Sequence, residues 1–416
     1  MPRKLINAIK EHSLPLNDQS LDKVIEAIGN AKIVMIGEAS HGTSEFYTYR
    51  CELSKRLIEQ KGFHIIAVEG DWPSAQEVNR YVKSYGDESQ TARELLMKAF
   101  HRWPTWMWAN EEIEQFTEWL KEKNSSLDKK VGFYGIDLYS LFESIDEVLK
   151  FLSENPKYQV DLEHAKKAFT CFEPYNRMPE HYALSAAHFT EECISEVSSL
   201  LRSLRSNEER YSDEQEKDLN VIMNALVAKN AEEYYREMMK DAKSWNTRDE
   251  HMVEAINELM KYHGDDAKII IWEHNTHIGD ASETSMKDEQ MINVGQLIRE
   301  QYGKDNTFAV GFGTYQGTVI AADSWGDPLQ VIKVPPSKLN MWEGQLHAAS
   351  QEDQVLIFTD ENRELFNDWI GHRAIGVVYH PEYEAYGNYV PSRVGSRYDA
   401  FIFINQTNAL RPLGRK

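Results

Sequence analysis

The chain has 416 residues, of which 46 are basic and 67 acidic, so its formal net charge at pH 7 is −21. This length suggests one large domain or two. The acidic balance disfavours a general nucleic-acid binder, because binding phosphate backbones requires a positive surface. With 41% hydrophobic and 27% charged residues, the composition excludes the disordered class and predicts a folded protein.

The three cysteines, Cys51, Cys171 and Cys193, are odd in number, widely spaced and without a CxxC pair. This pattern predicts neither a disulfide framework nor a thiolate zinc site, and it fits a reduced, cytosolic compartment. The first residues, Met-Pro-Arg-Lys-Leu-Ile, lack the apolar stretch of a signal peptide. No run approaches the roughly 18 apolar residues of a spanning helix. We therefore expect a cytoplasmic protein with no membrane partner.

Short apolar runs rich in β-branched residues predict buried strands. Five such runs cover residues 32–36, 64–68, 131–135, 268–272 and 307–310. Helical patterns lie between the first three runs, at 44–60 and at 75–123, and the second pattern is broken at Pro104. This alternation predicts an α/β fold, with a mostly parallel central sheet flanked by helices. Later runs at 354–358, 375–379 and 400–404 are candidates to extend the sheet.

A large helical insertion is predicted over residues 151–262, where charge is dense and glycine is absent. Its apolar stripes at helical spacing predict core packing rather than a cofactor site. The stripes are Ile194, Val197, Leu201 and Leu204, then Leu219, Ile222, Met223 and Leu226, then Met252, Val253, Ile256 and Leu259. Residues 1–150 and 263–416 are accordingly the two parts of one α/β domain. The insertion lies between the third and fourth strands, which makes it a candidate lid.

Polar residues follow four of the predicted strands, where the ligand crevice of an open parallel sheet lies. They are Gly37-Glu38-Ala39-Ser40-His41-Gly42, then Glu69-Gly70-Asp71-Trp72, then Asp137, and then Glu273-His274-Asn275-Thr276-His277. A single histidine after a strand is typical of a hydrogen-bonded structural residue. Three histidines with several carboxylates at one rim favour a catalytic site instead.

Such a cluster is suited to activating water. A neutral imidazole accepts the proton of water, and a neighbouring carboxylate fixes its tautomer and stabilises the imidazolium. His41 is the candidate base, and Glu38 and Glu69 are its candidate partners. His274 and His277 complete the catalytic set. A helix starting near Thr43 would offer amide donors to a developing oxyanion.

Candidate substrate contacts are Arg50, Asp71 and Trp72. Arg50 lies on the helix that follows His41, where it could pair with a carboxylate, orient the substrate or be a surface charge. Trp72 belongs to a tryptophan-rich stretch that could wall an apolar pocket, although core packing is the favoured interpretation. The other members of this stretch are Trp103, Trp106 and Trp108.

Other catalytic patterns are absent from the sequence. No GxSxG occurs and Ser40 directly precedes His41, so a serine nucleophile is disfavoured. There is no HExxH, Walker loop or GxGxxG. We predict no cofactor. The alternative is a divalent metal such as zinc, since enough nitrogen and oxygen donors are present to hold one. The ligands would be His41, His274, His277, Glu38 and Glu69.

Taken together, these motifs resemble the erythromycin esterase family. Its leading signature matches Ile36-Gly37-Glu38-Ala39-Ser40-His41-Gly42, and the other matches are Val68-Glu69-Gly70-Asp71, Tyr134-Gly135-Ile136-Asp137, Arg248-Asp249 with Met252, Glu273-His274-Asn275-Thr276-His277, Ile375-Gly376-Val377-Val378-Tyr379 and Arg397-Tyr398-Asp399-Ala400-Phe401. The resemblance covers roughly residues 20–410. Asp137, Arg248 and Asp249 are expected to be structural, with Arg248 starting a helix that Asp249 caps.

The resemblance implies a deep cleft in which His41 activates water to hydrolyse an ester such as a macrolactone. It also implies that Glu38, Arg50, Glu69, His274 and His277 line and polarise the site. The resemblance implies a connection with macrolides and antibiotic resistance, but the family also includes bacterial members with no evident antibiotic role and members named for succinoglycan biosynthesis.

The main hypothesis is therefore a carboxylic ester hydrolase without a covalent serine intermediate, acting on a small-molecule ester or lactone. One alternative is a metallohydrolase whose ion lowers the pKa of a bound water. The other is a non-catalytic protein that binds haem, iron or a polyketide, since fold alone does not assign function.

Overall fold

The computed structural model describes residues 2–86, 89–188, 193–207, 211, 214–238 and 241–414. The chain forms two compact units. The larger unit contains residues 1–66, 87–132 and 267–416, and the smaller contains residues 67–86 and 133–266.

A mostly parallel sheet of nine strands runs through the part of the chain that the structure describes. Its strands are β1 (Leu14–Pro15), β2 (Ile33–Ile36), β3 (Ile65–Asp71), β4 (Gly132–Asp137), β5 (Ile269–Trp272), β6 (Thr307–Ala321), β7 (Gln330–Val334), β8 (Gln354–Ile357) and β11 (Ala400–Thr407). Their order in the sheet is β1-β8-β11-β6-β2-β5-β3-β4, with β7 paired to β6. A separate antiparallel pair consists of β9 (Ile370–Arg373) and β10 (Tyr389–Ser392). Strands β3 and β4 begin in the larger unit and continue into the smaller one.

Helices of the larger unit flank the sheet and have recognisable end signals. Helix α3 (Ser44–Lys61), for example, begins after Thr43, whose backbone is extended. It is followed by Gly62 in the left-handed conformation that favours glycine. The helices of this unit are α1 (Pro2–His12), α2 (Asp18–Ile28), α3 (Ser44–Lys61), α5 (Ala92–Ala99), α6 (Glu111–Asn124), α13 (Asn275–Ile278), α14 (Val294–Tyr302), α15 (Trp342–Ala349), α16 (Glu384–Gly387) and α17 (Val394–Arg397).

The smaller unit is mainly helical. Its helices are α4 (Trp72–Val82), α7 (Leu141–Ser153), α8 (Gln159–Phe169), α9 (Pro179–His188), α10 (Ile194–Ser206), α11 (Lys217–Glu237) and α12 (Asp241–His263). The predicted stripes on α11 and α12 are buried, and so are Val197, Leu201 and Leu204 on α10. Burial of these apolar faces stabilises the helices against one another.

The α/β class and most predicted strands are confirmed, but two local predictions are wrong. Residues 375–379 form no strand, because Ile375 and Val378 make only isolated bridges to loop residues. The helical pattern over 75–123 is interrupted at Pro104 as predicted, between α5 and α6, and it has a further interruption between α4 and α5. Asp249 is not a helix cap, since α12 begins at Asp241 and both Arg248 and Asp249 lie inside it.

The prediction of no disulfide is also wrong. Cys171 and Cys193 are joined by a disulfide, with their Cα atoms 5.9 Å apart. Sequence spacing did not indicate it because 22 residues separate the two cysteines, and only the packing of the helical unit brings them together. Cys51 is a free, buried thiol, and burial raises its pKa to about 12.

No described helix combines the length and the apolar character needed to cross a membrane. The predicted lid role of residues 151–262 stays a prediction.

Candidate active site

The candidate site of the larger unit lies where β2 and β5 end. These strands are parallel neighbours, and Ile36 is paired with Trp272 at their last residues. The segments that follow, Gly37–Gly42 and Glu273–His277, therefore leave the sheet at the same edge, as the sequence predicted for the first and fourth strands. The backbone N–H of Asn275 donates to the Glu38 carbonyl at 2.8 Å, which ties the two segments together.

His41 is held by Glu38. Its Nδ1 lies 2.9 Å from Oε1 of Glu38. The Glu38 side chain is 2% exposed, whereas that of His41 is 11% exposed, so the imidazole keeps some access to solvent. The Tyr47 hydroxyl donates to the His41 carbonyl at 3.2 Å and fixes the backbone behind the ring.

Arg50 is buried beneath this pair. Its Nη2 lies 3.0 Å from Glu38 Oε1, and its Nε donates to the Gly37 carbonyl at 2.9 Å. Nη2 also donates to the Glu273 carbonyl at 3.2 Å. Arg50 thus joins both segments of the site while its charge balances the Glu38 carboxylate. The surface-charge interpretation of Arg50 is wrong, because its side chain is 1% exposed.

His274 lies next to His41. The centroids of the two imidazole rings are 4.9 Å apart. His274 Nδ1 lies 2.8 Å from the Thr276 hydroxyl oxygen and accepts from the Thr276 backbone N–H at 3.3 Å. His277 is buried on the same short helix, α13, one turn further along.

Asn275 connects this edge of the sheet to β6. Its side-chain amide donates to the Phe312 carbonyl at 2.7 Å and accepts from the Phe312 N–H at 3.2 Å. The amide crosses over Gly37, where a Cβ atom would lie 2.1 Å from Asn275 Oδ1. Position 37 must therefore be glycine while Asn275 keeps this conformation.

The turn after His41 is held by backbone contacts. The Gly42 carbonyl accepts from the N–H of Ile320 and from that of Leu410, each at 2.9 Å. Helix α3 begins at Ser44, as predicted, but the Ser44 N–H already donates to the Asn408 carbonyl at 2.9 Å. An oxyanion role for this helix start stays a prediction.

Glu69 lies in the smaller unit, where it pairs with Arg248. Nη2 of Arg248 is 2.7 Å from Glu69 Oε1 and 2.7 Å from Asp137 Oδ2. Burial raises the pKa of Asp137, but the Arg248 charge and hydrogen bonds outweigh burial and hold that pKa below its usual value. Both carboxylates therefore stabilise a buried guanidinium. Partnership of Glu69 with His41 stays a prediction.

Asp71 and Trp72 also belong to the smaller unit. Asp71 is half-buried and precedes the first residue of α4. Trp72 is buried, stacks on Tyr134 with ring centroids 5.7 Å apart, and donates from Nε1 to Asn220 Oδ1 at 2.8 Å. These contacts are those of a core residue, and the predicted substrate contacts of Asp71 and Trp72 stay untested.

His251 on α12 is a buried histidine of the smaller unit. Asn230 Nδ2 lies 2.9 Å from its Nδ1. Burial lowers the pKa of His251 to about 4, against the opposing charges of Asp137 and Glu254. The ring is therefore neutral at pH 7.

Sequence reasoning missed a second histidine–carboxylate pair in the larger unit. His372 Nδ1 lies 2.7 Å from Glu343 Oε1, and both side chains are fully buried. Neither residue follows a predicted strand or belongs to a recognised motif. Only the tertiary fold identifies the pair.

Within the described ranges, no group of three or more His, Cys, Asp or Glu side chains has an arrangement that could hold a metal ion. A polar cavity of about 290 Å³ lies in the smaller unit, between α4, α7 and α11. None of the predicted site residues lines it.

Comparisons with known proteins agree with this fold. The sequence model described as Erythromycin esterase matches residues 58–407, a range that begins after Glu38 and His41. YbfO of Bacillus subtilis (strain 168), whose hydrolase designation is provisional, is 21% identical over 422 residues, covering 95% of this chain and 89% of YbfO.

Two solved structures share the α/β architecture. A succinoglycan biosynthesis protein has a TM-score of 0.80 at 18% identity, covering 99% of this chain and 98% of its own. A mutant of the erythromycin esterase EreC in its open conformation has a TM-score of 0.67 at 17% identity, covering 94% and 95%. At such identities the likeness shows the fold alone.

Proposed function

This chain belongs to the erythromycin esterase family of hydrolases, and from that premise we propose that it hydrolyses a carboxylic ester or macrolactone with a water molecule activated by His41. The observation that carries the proposal is the 2.9 Å contact between His41 Nδ1 and Glu38 Oε1. A carboxylate in this position holds the Nδ1–H tautomer of the ring. Nε2 is then the basic nitrogen.

In the proposed reaction, His41 Nε2 takes a proton from water while the oxygen attacks the ester carbonyl carbon. The carbonyl carbon becomes tetrahedral and the carbonyl oxygen becomes an oxyanion. This intermediate collapses as the bond to the alkoxy oxygen breaks. The leaving oxygen receives the proton from His41 Nε2, so the products are an acid and an alcohol, and for a lactone one opened hydroxy acid. No serine is acylated.

Arg50 and His274 support this chemistry in different ways. Arg50 contacts Glu38 from the buried side at 3.0 Å and so holds in place the carboxylate that pairs with His41. His274 lies beside His41, and in the tautomer with its proton on Nε2 it is suited to donate to the carbonyl oxygen as negative charge develops there.

The substrate is a small molecule, as expected for this family. Macrolide lactones are the first class to test, because the matching family is described as erythromycin esterase and the structural neighbour EreC is one. Roles for Glu69, His277, Asp71 and Trp72 rest on their motif positions. We predict that no cofactor is required.

The Cys171–Cys193 disulfide argues against the cytoplasmic location that was predicted from the cysteine content, because disulfides persist mainly in oxidising compartments. We retain the cytoplasmic location as a proposal. Thiol alkylation in denaturant immediately after cell lysis tests it: a reducing cytoplasm would open the disulfide and give three free thiols per chain, whereas one free thiol per chain would contradict the proposed location.

The test is hydrolysis of an activated carboxylic ester and a lactone panel by wild-type protein, before and after exhaustive chelation. His41→Ala is expected to lose the activity, because the group proposed to take the proton of water is then absent. His101→Ala, at an exposed position of the same unit, is the matched control and is expected to behave as wild type.

Activity that survives chelation and disappears in His41→Ala supports the proposal. Full activity of His41→Ala contradicts it. If chelation removes a stoichiometric metal ion and the activity is lost with it, the protein is the metallohydrolase. No turnover of any ester, together with a spectral change on haem titration, points to a binding protein.

A further inference from the structure

The buried pair of His372 and Glu343 has a defined polarity. Glu343 Oε1 accepts from the backbone N–H of Arg373 at 2.8 Å and lies 2.7 Å from His372 Nδ1. Burial raises the pKa of Glu343, but the His372 hydrogen bond and the Arg373 charge outweigh it and keep that pKa below its usual value. An ionised Glu343 therefore accepts the His372 Nδ1–H.

The other ring nitrogen, Nε2, remains an acceptor. Burial lowers the pKa of His372, and the charges of Arg397 and Arg373 lower it further against the opposing effect of Glu343. The aromatic rings of Tyr398 and Phe401 pack against the imidazole, with centroids at 5.9 and 5.2 Å. A neutral His372 with its proton on Nδ1 fits all these contacts.

The amide of Asn275 meets this acceptor. Asn275 Nδ2 lies 3.2 Å from His372 Nε2, and its second hydrogen points to the Phe312 carbonyl at 2.7 Å. A flipped amide would put oxygen against both of these acceptors and NH₂ against the Phe312 N–H. His372 and Phe312 therefore specify one orientation of the Asn275 side chain.

The backbone of Asn275 passes this restraint on to the candidate site. Its N–H donates to the Glu38 carbonyl at 2.8 Å, and its carbonyl accepts from Arg397 Nη2 at 2.8 Å. The preceding residue is His274, whose ring lies beside His41. One side chain thus sets the positions of groups on both sides of the candidate base.

We propose that His372, oriented by Glu343, is a positioning residue for the hydrolysis proposed above, acting through the Asn275 amide on Glu38 and His274. It touches neither water nor ester. The inference rests on the proposed function for its kinetic readout, but its effect on the His41 imidazole is measurable without turnover.

Two substitutions at one position separate positioning from stability. In His372→Asn, the short amide can replace Nδ1–H toward Glu343 but leaves Asn275 without its acceptor. In His372→Gln, the longer side chain can place an oxygen where Nε2 was, but the Glu343 bond is lost. Both variants remove the imidazole ring. A purely structural role for His372 predicts that kcat of His372→Gln falls at least as much as kcat of His372→Asn.

Positioning predicts the reverse order. We expect kcat of His372→Asn to fall about 10- to 100-fold at an unchanged KM, because small displacements of reacting groups cost that much. His372→Gln is expected to keep most of the wild-type kcat. NMR titration of ¹⁵N-histidine-labelled protein, with the His41 signal assigned by its loss in His41→Ala, should show a shifted His41 midpoint in His372→Asn only.

The matched control is His347→Gln, on the same helix as Glu343. His347 stacks on Tyr315 and contacts Asn405, and its replacement should leave kcat and the His41 titration unchanged. If His372→Asn does not fold, Glu343→Gln is the second test. It removes the charge that favours Nδ1–H and should lower kcat in the same way.

An unchanged His41 titration in His372→Asn overturns the inference, as does an equal loss of kcat in both His372 variants that tracks their thermal stability. In the Glu343→Gln test, an unchanged kcat overturns it. If wild-type protein hydrolyses no ester but the His41 titration responds as expected, the proposed function fails and the positioning role stands.

Discussion

Replacing Glu38 by glutamine leaves the Arg50 charge buried without its carboxylate. The two side chains are 2% and 1% exposed, and removing one partner of a buried ion pair costs about 3–5 kcal/mol. Arg50 keeps two carbonyl acceptors, those of Gly37 and Glu273. We therefore expect Glu38→Gln to lower the free energy of unfolding by about 3 kcal/mol, the lower end of that range.

The assay is urea unfolding at pH 7, followed by far-ultraviolet circular dichroism. The matched control is Glu52→Gln on α3, the helix that carries Arg50, where Glu52 is 39% exposed and pairs with Arg56 at 2.5 Å. An exposed pair of this kind contributes about 0–1 kcal/mol. The two substitutions make the same chemical change and differ in burial.

If Glu38→Gln lowers the free energy of unfolding as little as Glu52→Gln does, the reasoning is refuted, because the Arg50 guanidinium would then not depend on Glu38.

Glu38→Gln should also lower kcat on an ester substrate by a factor on the order of 10⁴. Loss of a carboxylate that fixes the histidine tautomer has an effect of this size.

Gly37→Ala should destabilise the protein by about 1–3 kcal/mol through overpacking, because its Cβ would lie 2.1 Å from Asn275 Oδ1. Gly376→Ala, whose Cβ would have no atom within 4 Å, should be neutral in the same unfolding assay. Equal losses of unfolding free energy in the two variants would contradict this. His251→Gln should weaken the acid sensitivity of unfolding. The folded-state pKa of His251, about 4, lies below the usual 6.5, so wild-type protein loses stability as pH falls from 6.5 toward 4, by about 3 kcal/mol at 1.36 kcal/mol per pKa unit. Matching wild-type and variant curves over that window would contradict the assignment.

The strand ends were predictable because a buried parallel strand leaves a compact signature of β-branched residues. This signature placed Glu38 and His41 after β2 and His274 after β5. It failed at residues 375–379, where an equally apolar run packs against Val319 and Val334 without joining the sheet. Apolar composition reports burial, and hydrogen-bonded pairing depends on neighbours that are distant in sequence.

The partners of the site residues were less predictable. Glu38 and Glu69 were equal candidates for His41 from the sequence, and the contact to Glu38 follows from a turn geometry that spacing does not encode. Arg50 was equally open, because a charged residue on a helix is usually solvated. The role of Glu343 and His372 depends on Asn275 crossing to β6, which only the tertiary structure reveals.

The passage of the Asn275 amide over Gly37 makes two distant segments of the chain interdependent. A side chain at position 37 and asparagine at position 275 in its present conformation exclude each other sterically. A chimera that imports a first segment with a side chain at position 37 and keeps Asn275 should be destabilised at this edge of the sheet, even when each segment is compatible with its own parent. Segment exchange within this fold should therefore move the two as one unit.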